Sequence, residues 1–266
     1  MPNRTTVAGL LIVGLAALAG CSAGTSFNGS VDFAQWTPDF SGSALKSGSS
    51  NFDLVSGGGV NSGQDLWSID LSLGMQAASG SNLKPYQLNL GYWSGLYEGT
   101  GPAFSGDYLG ATFDGLSPID TTADFKYYKL TFEEPDASRN NAGGSLSSGI
   151  LGLHYLDFDI AADDGAGHVG TFADSAPMFV IGYRIEQYTQ SGLIYYIRVE
   201  WMDLDTITLG GTSGEIMDLS GGVRWAIRNM AAICIGYRQL DAELKIDGNN
   251  LNLDMDGAVF SLFLRW

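Results

Sequence analysis

The sequence predicts an all-β protein: an up-and-down antiparallel transmembrane β-barrel of about ten strands, placed after an N-terminal signal peptide. Three observations carry this. Asp256 to Trp266 alternates Ala258, Phe260, Leu262, Leu264 and Trp266 against Gly257, Val259, Ser261, Phe263 and Arg265. A soluble edge strand needs charges or proline to avoid sticking, whereas a broad apolar face ending in an aromatic suits a strand with one face in lipid. At the other end, Arg4 precedes an apolar run from Val7 to Ala19, too short to span a bilayer as a helix and suited to a signal-peptide core. Between them, 37 glycines, 12% aromatics and the lack of a long apolar run fit a barrel better than helical spans.

Taken in chain order, residues 1–20 read as the signal peptide and 21–30 as a short leader, with the barrel over 31–266. Two cleavage readings compete. Ala17-Leu18-Ala19 is an A-x-A site, while Leu18-Ala19-Gly20-Cys21 resembles a lipobox that leaves Cys21 lipidated. The second cysteine, Cys234, lies mid-strand and reads as a small packing residue.

The strands follow from period-two alternation. Val31–Phe40 is the weakest, interrupted by Pro38. Asp65–Met75 sets Trp67, Ile69, Leu71 and Leu73 against Asp70, Ser72 and Gly74. Pro85–Tyr97 sets Tyr86, Leu88, Leu90 and Tyr92 against Gln87, Asn89, Gly91 and Trp93. Phe125–Glu133 and Gly149–Ile160 follow, then Pro177–Tyr188, Leu193–Thr208, Gly214–Ile227, Met230–Ile246 and Leu251–Trp266. Each approaches the length of a tilted transmembrane strand. An even count puts both termini on the periplasmic side, and dropping the first pair gives eight strands as the alternative. The stretches 98–122 and 161–175 read as acidic external loops, and 135–147 is long for a periplasmic turn. Residues 152–160 and 236–244 echo one another. In both, the apolar face changes parity after the fourth residue, as a β-bulge or a flip on leaving the membrane would do.

Gly152–Ile160 (GLHYLDFDI), Ala176–Arg184 (APMFVIGYR) and Gly236–Asp241 (GYRQLD), with the terminal aromatic strand, resemble small bacterial outer-membrane β-barrel proteins of poorly characterised function. The resemblance covers roughly 65–266. It implies fold and location, the bacterial outer membrane, and supplies no catalytic residues.

The face opposite the apolar one is rich in ions. Lys129, Arg184, Arg198, Arg224, Arg238 and Arg265 share it, six of the thirteen Lys and Arg residues. Glu133, Glu186, Glu200, Asp70, Asp218 and His154 join them. A cation beside a lipid tail costs about 2–4 kcal/mol at the midplane, so these side chains belong in the lumen, where arginine forks pair with carboxylates. Trp93 projects to the same face and is the one aromatic with a case for ligand stacking. Trp67, Trp201, Trp225, Trp266, Tyr86 and Tyr195 read as outward interfacial belts.

These patterns favour an integral outer-membrane barrel with a salt-bridged, occluded lumen and a structural or surface-interaction role. The alternative is a small pore or solute conduit, and a second alternative is a lipid-modifying enzyme using His154, one of two histidines. A lipocalin-like soluble barrel is the architectural rival. No serine is marked by an elbow around His154, so an enzyme is not expected. Asn252–Gly257 mimics half an EF-hand loop, but Phe263 stands where the Glu is required, so neither metal nor cofactor is expected. The net charge of −16 argues against nucleic acid. The expected partners are outer-membrane lipid and, through the strand ending at Trp266, the barrel-assembly machinery; no protein partner is identifiable.

Overall fold

The structure, a computed structural model, describes residues 26–61, 64–76, 86–135, 144–203, 212–228 and 230–266. The signal segment, Cys21 and residues 204–208 of the seventh expected strand lie outside these, as does 136–143 of the long periplasmic stretch.

Ten long strands form the wall: β1 (Ser26–Leu45), β3 (Leu66–Gln76), β4 (Tyr86–Gly101), β7 (Ile119–Pro135), β8 (Ser145–Asp163), β9 (Val169–Tyr188), β10 (Leu193–Asp203), β11 (Thr212–Arg228), β12 (Ala231–Ile246) and β13 (Asn249–Arg265). Each pairs antiparallel with its neighbour, and β13 pairs back to β1 from Arg265↔Ser30 to Asn250↔Leu45. The sheet therefore closes as the up-and-down topology predicts. Closure removes the free edges that make a long β-strand prone to association.

Three short strands sit at the external end: β2 (Phe52–Asp53), β5 (Ser105–Tyr108) and β6 (Ala111–Asp114). β2 pairs with the top of β1, and β5–β6 is a separate hairpin. Phe52, Leu54, Leu109 and Phe113 are buried beneath them, and Thr171 N donates to Leu109 O at 3.0 Å, tying the hairpin to β9.

The lower, periplasmic part of the wall has the sidedness read from the sequence. Ile235 is 65% exposed and Trp225 62%, while Arg224 and Arg238 point into the barrel beside buried Asp218 and Glu186. Above this belt the pattern inverts. Outward positions become polar or acidic, as at Asp39, Asp157, Asp159, Asp241 and Asp254, while Phe40, Phe125, Leu156, Phe158, Leu240, Leu244, Leu253 and Met255 are buried inside.

Several expectations change. β8 pairs without a break on both sides across 152–160, so of the two readings of the parity change the bulge falls and the flip on leaving the membrane remains. The backbone keeps its alternation; the side that is apolar changes because lipid outside gives way to water. The stretch 98–122 is mostly strand ends and the β5–β6 cap, and 161–175 contains only a five-residue turn at 164–168. These loops are short because the strands continue beyond the membrane. Residues 26–30, expected in the leader, belong to β1. At the β12–β13 turn only Asp247 and Gly248 remain unpaired, with φ of 50° and 84°. That is the positive-φ pair a two-residue hairpin requires.

Candidate functional site

The lumen is built in two layers. The lower layer is an ion-pair network. Alternation on β7 turns Lys129, Thr131 and Glu133 inward, and the same rule brings Arg184 and Glu186 in from β9, Arg198 and Glu200 from β10, and Asp218 and Arg224 from β11. Glu133 takes Arg198 Nη1 at 2.7 Å and Arg184 Nη2 at 3.1 Å, one on each carboxylate oxygen. Arg198 Nη2 donates to Glu200 at 2.6 Å and to Thr131 at 3.0 Å. Lys129 pairs with both Glu200 and Asp218, and Arg238 donates to both oxygens of Asp218, from Nε at 3.0 Å and from Nη2 at 2.8 Å.

Nearer the periplasmic end the pairing is looser. Arg224 Nη1 lies 3.6 Å from Glu186, and its guanidinium stacks between the rings of Tyr196 and Phe263. Of the residues expected to face the lumen, Lys129, Glu133, Arg184, Glu186, Arg198, Glu200, Asp218, Arg224 and Arg238 are brought together. Arg265 is exposed at the barrel rim and stands outside the cluster. It lies on the inward face, but one residue from the end of the chain that face opens to water.

His154 sits fully buried at the top of this layer. Its Nδ1 is 2.6 Å from the Tyr127 hydroxyl and its Nε2 is 3.6 Å from Glu200. Tyr127 was overlooked in the sequence, although its parity with Lys129 on the same strand places it inward. Trp93 is also buried, edge-on to Trp36 at 5.9 Å and against Tyr127 at 5.4 Å. Its faces are occupied by protein, so it packs the waist and has none left for a ligand. Cys234 is buried and free, 3.4 Å from the Tyr196 hydroxyl.

Above the waist lies the apolar layer, with Phe40 stacked on Tyr97 at 4.5 Å and Phe158 edge-on to Phe172 at 5.0 Å. Outside it the wall is acidic. Asp39 faces Asp256, Asp124 faces Asp159, Asp120 faces Asp163 and Asp241 faces Asp254 across neighbouring strands. Burial, and then the facing Asp241, push the Asp254 carboxyl above the usual carboxylate range.

At the β8–β9 turn His168 Nδ1 is 2.5 Å from Asp164, whose other oxygen accepts the backbone N–H of Ala166 and His168. The hydrogen bond and charge of Asp164 raise the imidazole above its ordinary value. Burial works to raise Asp164, but the bonds from His168 and the two amides outweigh it and hold that carboxyl low. Among the described residues no group of His, Cys, Asp and Glu is arranged to hold a metal ion.

A closed antiparallel barrel with an apolar outer belt and a charged interior defines an integral outer-membrane β-barrel, the bacterial class whose strands cross lipid. The outer-membrane protease OmpT of Escherichia coli shares this fold, with a TM-score of 0.54 at 9% identity over 91% of this chain and 98% of that one. The translocator domain of the autotransporter NalP from Neisseria meningitidis aligns over 96% of each chain at 10% identity, with a TM-score of 0.39. The attachment invasion locus protein Ail of Yersinia pestis aligns over 89% of this chain and 99% of that one at 12% identity, with a TM-score of 0.30. No family model and no curated protein matches the sequence.

Proposed function

We propose that this protein is an occluded, non-conducting outer-membrane barrel that holds a rigid acidic extension above the lipid as a surface-interaction module. The observation that carries this reading is the stacking of two layers of inward side chains in one lumen: the paired charges of Glu133, Arg198, Glu200, Asp218 and Arg238, and above them the buried apolar side chains from Phe40 to Met255. Eight strands enclose only enough space for their own side chains, and ten add little. The cap formed by β2 and the β5–β6 hairpin is consistent with a sealed outer end.

The same reading assigns the strand ending at Trp266 to recognition by the barrel-assembly machinery, and keeps residues 1–20 as the export signal, with Cys21 as a lipidation candidate. The enzymatic alternative receives little support. One protein of similar fold is a protease, but His154 is sealed between Tyr127 and Glu200, away from lipid and solvent. Planar-bilayer recording tests the proposal. Purified protein should insert without unitary current steps; stable single-channel conductance would overturn the occluded reading.

A further inference from the structure

A closed circuit of side chains runs around the lumen where the ion-pair layer meets the apolar one. Trp36 of β1 meets Trp93 of β4 edge-on, Trp93 packs on Tyr127 of β7, and the Tyr127 hydroxyl reaches His154 of β8. His154 faces Glu200 of β10, Glu200 shares Lys129 with Asp218 of β11, and Asp218 takes Arg238 of β12. The Arg238 guanidinium lies over the Trp36 ring at 5.0 Å and completes the circuit. Three buried polar atoms of this ring make no hydrogen bond among the described residues: Trp36 Nε1, Trp93 Nε1 and His154 Nε2. His154 Nε2 stands 3.6 Å from Glu200, too far for one. Burying such groups unmet is costly, and folded proteins meet them with protein atoms or with ordered water.

The chemistry of the ring selects among partners. Indole N–H groups only donate, so both tryptophans ask for an acceptor. An anion would meet the carboxylates of Glu200 and Asp218 on the same ring. A cation would meet two N–H groups, Lys129 and Arg238. An apolar molecule would satisfy none of the three atoms. Water accepts from the indoles, and it serves Nε2 whichever imidazole nitrogen carries the proton. A buried water typically makes about three such bonds. We propose that ordered water binds inside this ring, with the indole N–H groups of Trp36 and Trp93 and Nε2 of His154 as its partners. The indole faces are packed against protein; the water takes their edges. The site goes beyond the occluded-lumen reading, because polar atoms of the ring hold it whether or not ions pass.

The test uses the full barrel in detergent micelles with nitrogen-15 in the indoles. Trp36→Phe and Trp93→Phe each delete one signal and so assign the pair. In the parent, both indole hydrogens should show an NMR cross-peak to water with the sign of a molecule that tumbles with the protein. His154→Phe removes a partner and should weaken at least one of the two. Tyr127→Phe removes the nearest hydroxyl, which bonds the other imidazole nitrogen and could relay exchange, and both cross-peaks should persist. Replacing chloride with bromide should shift neither indole signal. Heat-modifiable gel mobility confirms that each variant is folded. Absent cross-peaks, the sign of freely passing water, full intensity in His154→Phe, loss in Tyr127→Phe, or a halide-dependent shift would overturn the proposal. Current steps in a bilayer would overturn the occluded lumen alone, since the cross-peaks report the ring in either case.

Discussion

The indole of Trp266 lies over Gly29, and the two residues exchange backbone hydrogen bonds, Gly29 N to Trp266 O at 3.1 Å and Trp266 N to Gly29 O at 3.0 Å. They are the last pair of the β1–β13 seam, where the first strand meets the last. A Cβ at position 29 would run into the indole, so glycine here makes room for the ring that covers it. Gly29→Leu should displace the ring and cost about 1–3 kcal/mol, the usual effect of overpacking. The folded band on a heat-modifiability gel should convert at a lower temperature than in the parent. An unchanged conversion temperature would mean that the ring does not hold the seam.

Glu133 is the hinge of the ion-pair layer, since its two oxygens serve Arg184 and Arg198 from different strands. Glu133→Gln removes the charge and leaves two guanidiniums underpaired in a closed space. Breaking one side of a buried pair costs about 3–5 kcal/mol, whereas replacing the whole set with apolar side chains of similar volume is often near neutral. Urea unfolding in micelles should therefore show a large loss for Glu133→Gln. Most of it should be recovered when Arg184→Met and Arg198→Met are added. A triple variant no better than the single would mean that the network adds more than its pairs.

Much of this was legible in the sequence because membrane strands obey a simple rule. Trp225 and Ile235 had to face lipid, so Arg224 and Arg238 had to face inward, and pairing across the lumen followed. Strand ends were less legible. Asp157-Phe158-Asp159 on β8 continues the alternation with its polarity reversed, which from the sequence fits either a β-bulge or a flip on leaving the membrane, and only the unbroken register decides for the flip. β7 likewise starts at Ile119, inside the stretch 98–122 expected to be loop and ahead of the strand expected from Phe125, because its outward Asp120 and Asp124 give no apolar face toward lipid. Arg265 shows the reverse limit, since parity gives a direction and says nothing of where the barrel mouth lies. The cap was hidden because β5 and β6 are four residues each, too short to display a period.

The β8–β9 turn should be a local pH sensor. His168, 42% exposed in its side chain, has its ordinary value of 6.5 raised by the Asp164 bond, and Asp164 is held low by the same contact. A raised imidazole contributes stability that is fully present below the unfolded value and is lost as pH rises through the folded one. The depressed carboxylate loses its share as pH falls through its own folded value. The turn is therefore firmest between the two. An NMR titration should place the His168 midpoint above 6.5. Asp164→Asn should return it to about 6.5. A midpoint at or below 6.5 in the parent would mean that the contact is absent in solution.

The inversion of polarity along β8 can be tested with one substituent at three positions. Leu153 faces lipid, Asp157 faces water on the same side four residues higher, and Phe158 faces the apolar interior. Leu153→Lys places a cation in hydrocarbon and should cost about 2–4 kcal/mol near the midplane, less toward the interface. Asp157→Lys gives up a loose contact with Lys126 at 4.0 Å and should stay within about 0.5 kcal/mol, as surface changes do. Phe158→Lys removes a packed ring and buries an unpaired charge, so it should exceed about 4 kcal/mol. Urea unfolding from lipid vesicles measures all three. The diagnostic comparison is position 153 against position 157, because the two share one face of one strand at different heights. If lysine is as costly at 157 as at 153, the lipid reaches higher than the acidic ring allows, and the upper half of the wall belongs to the membrane. If it is harmless at both, the exposed apolar belt is not in lipid.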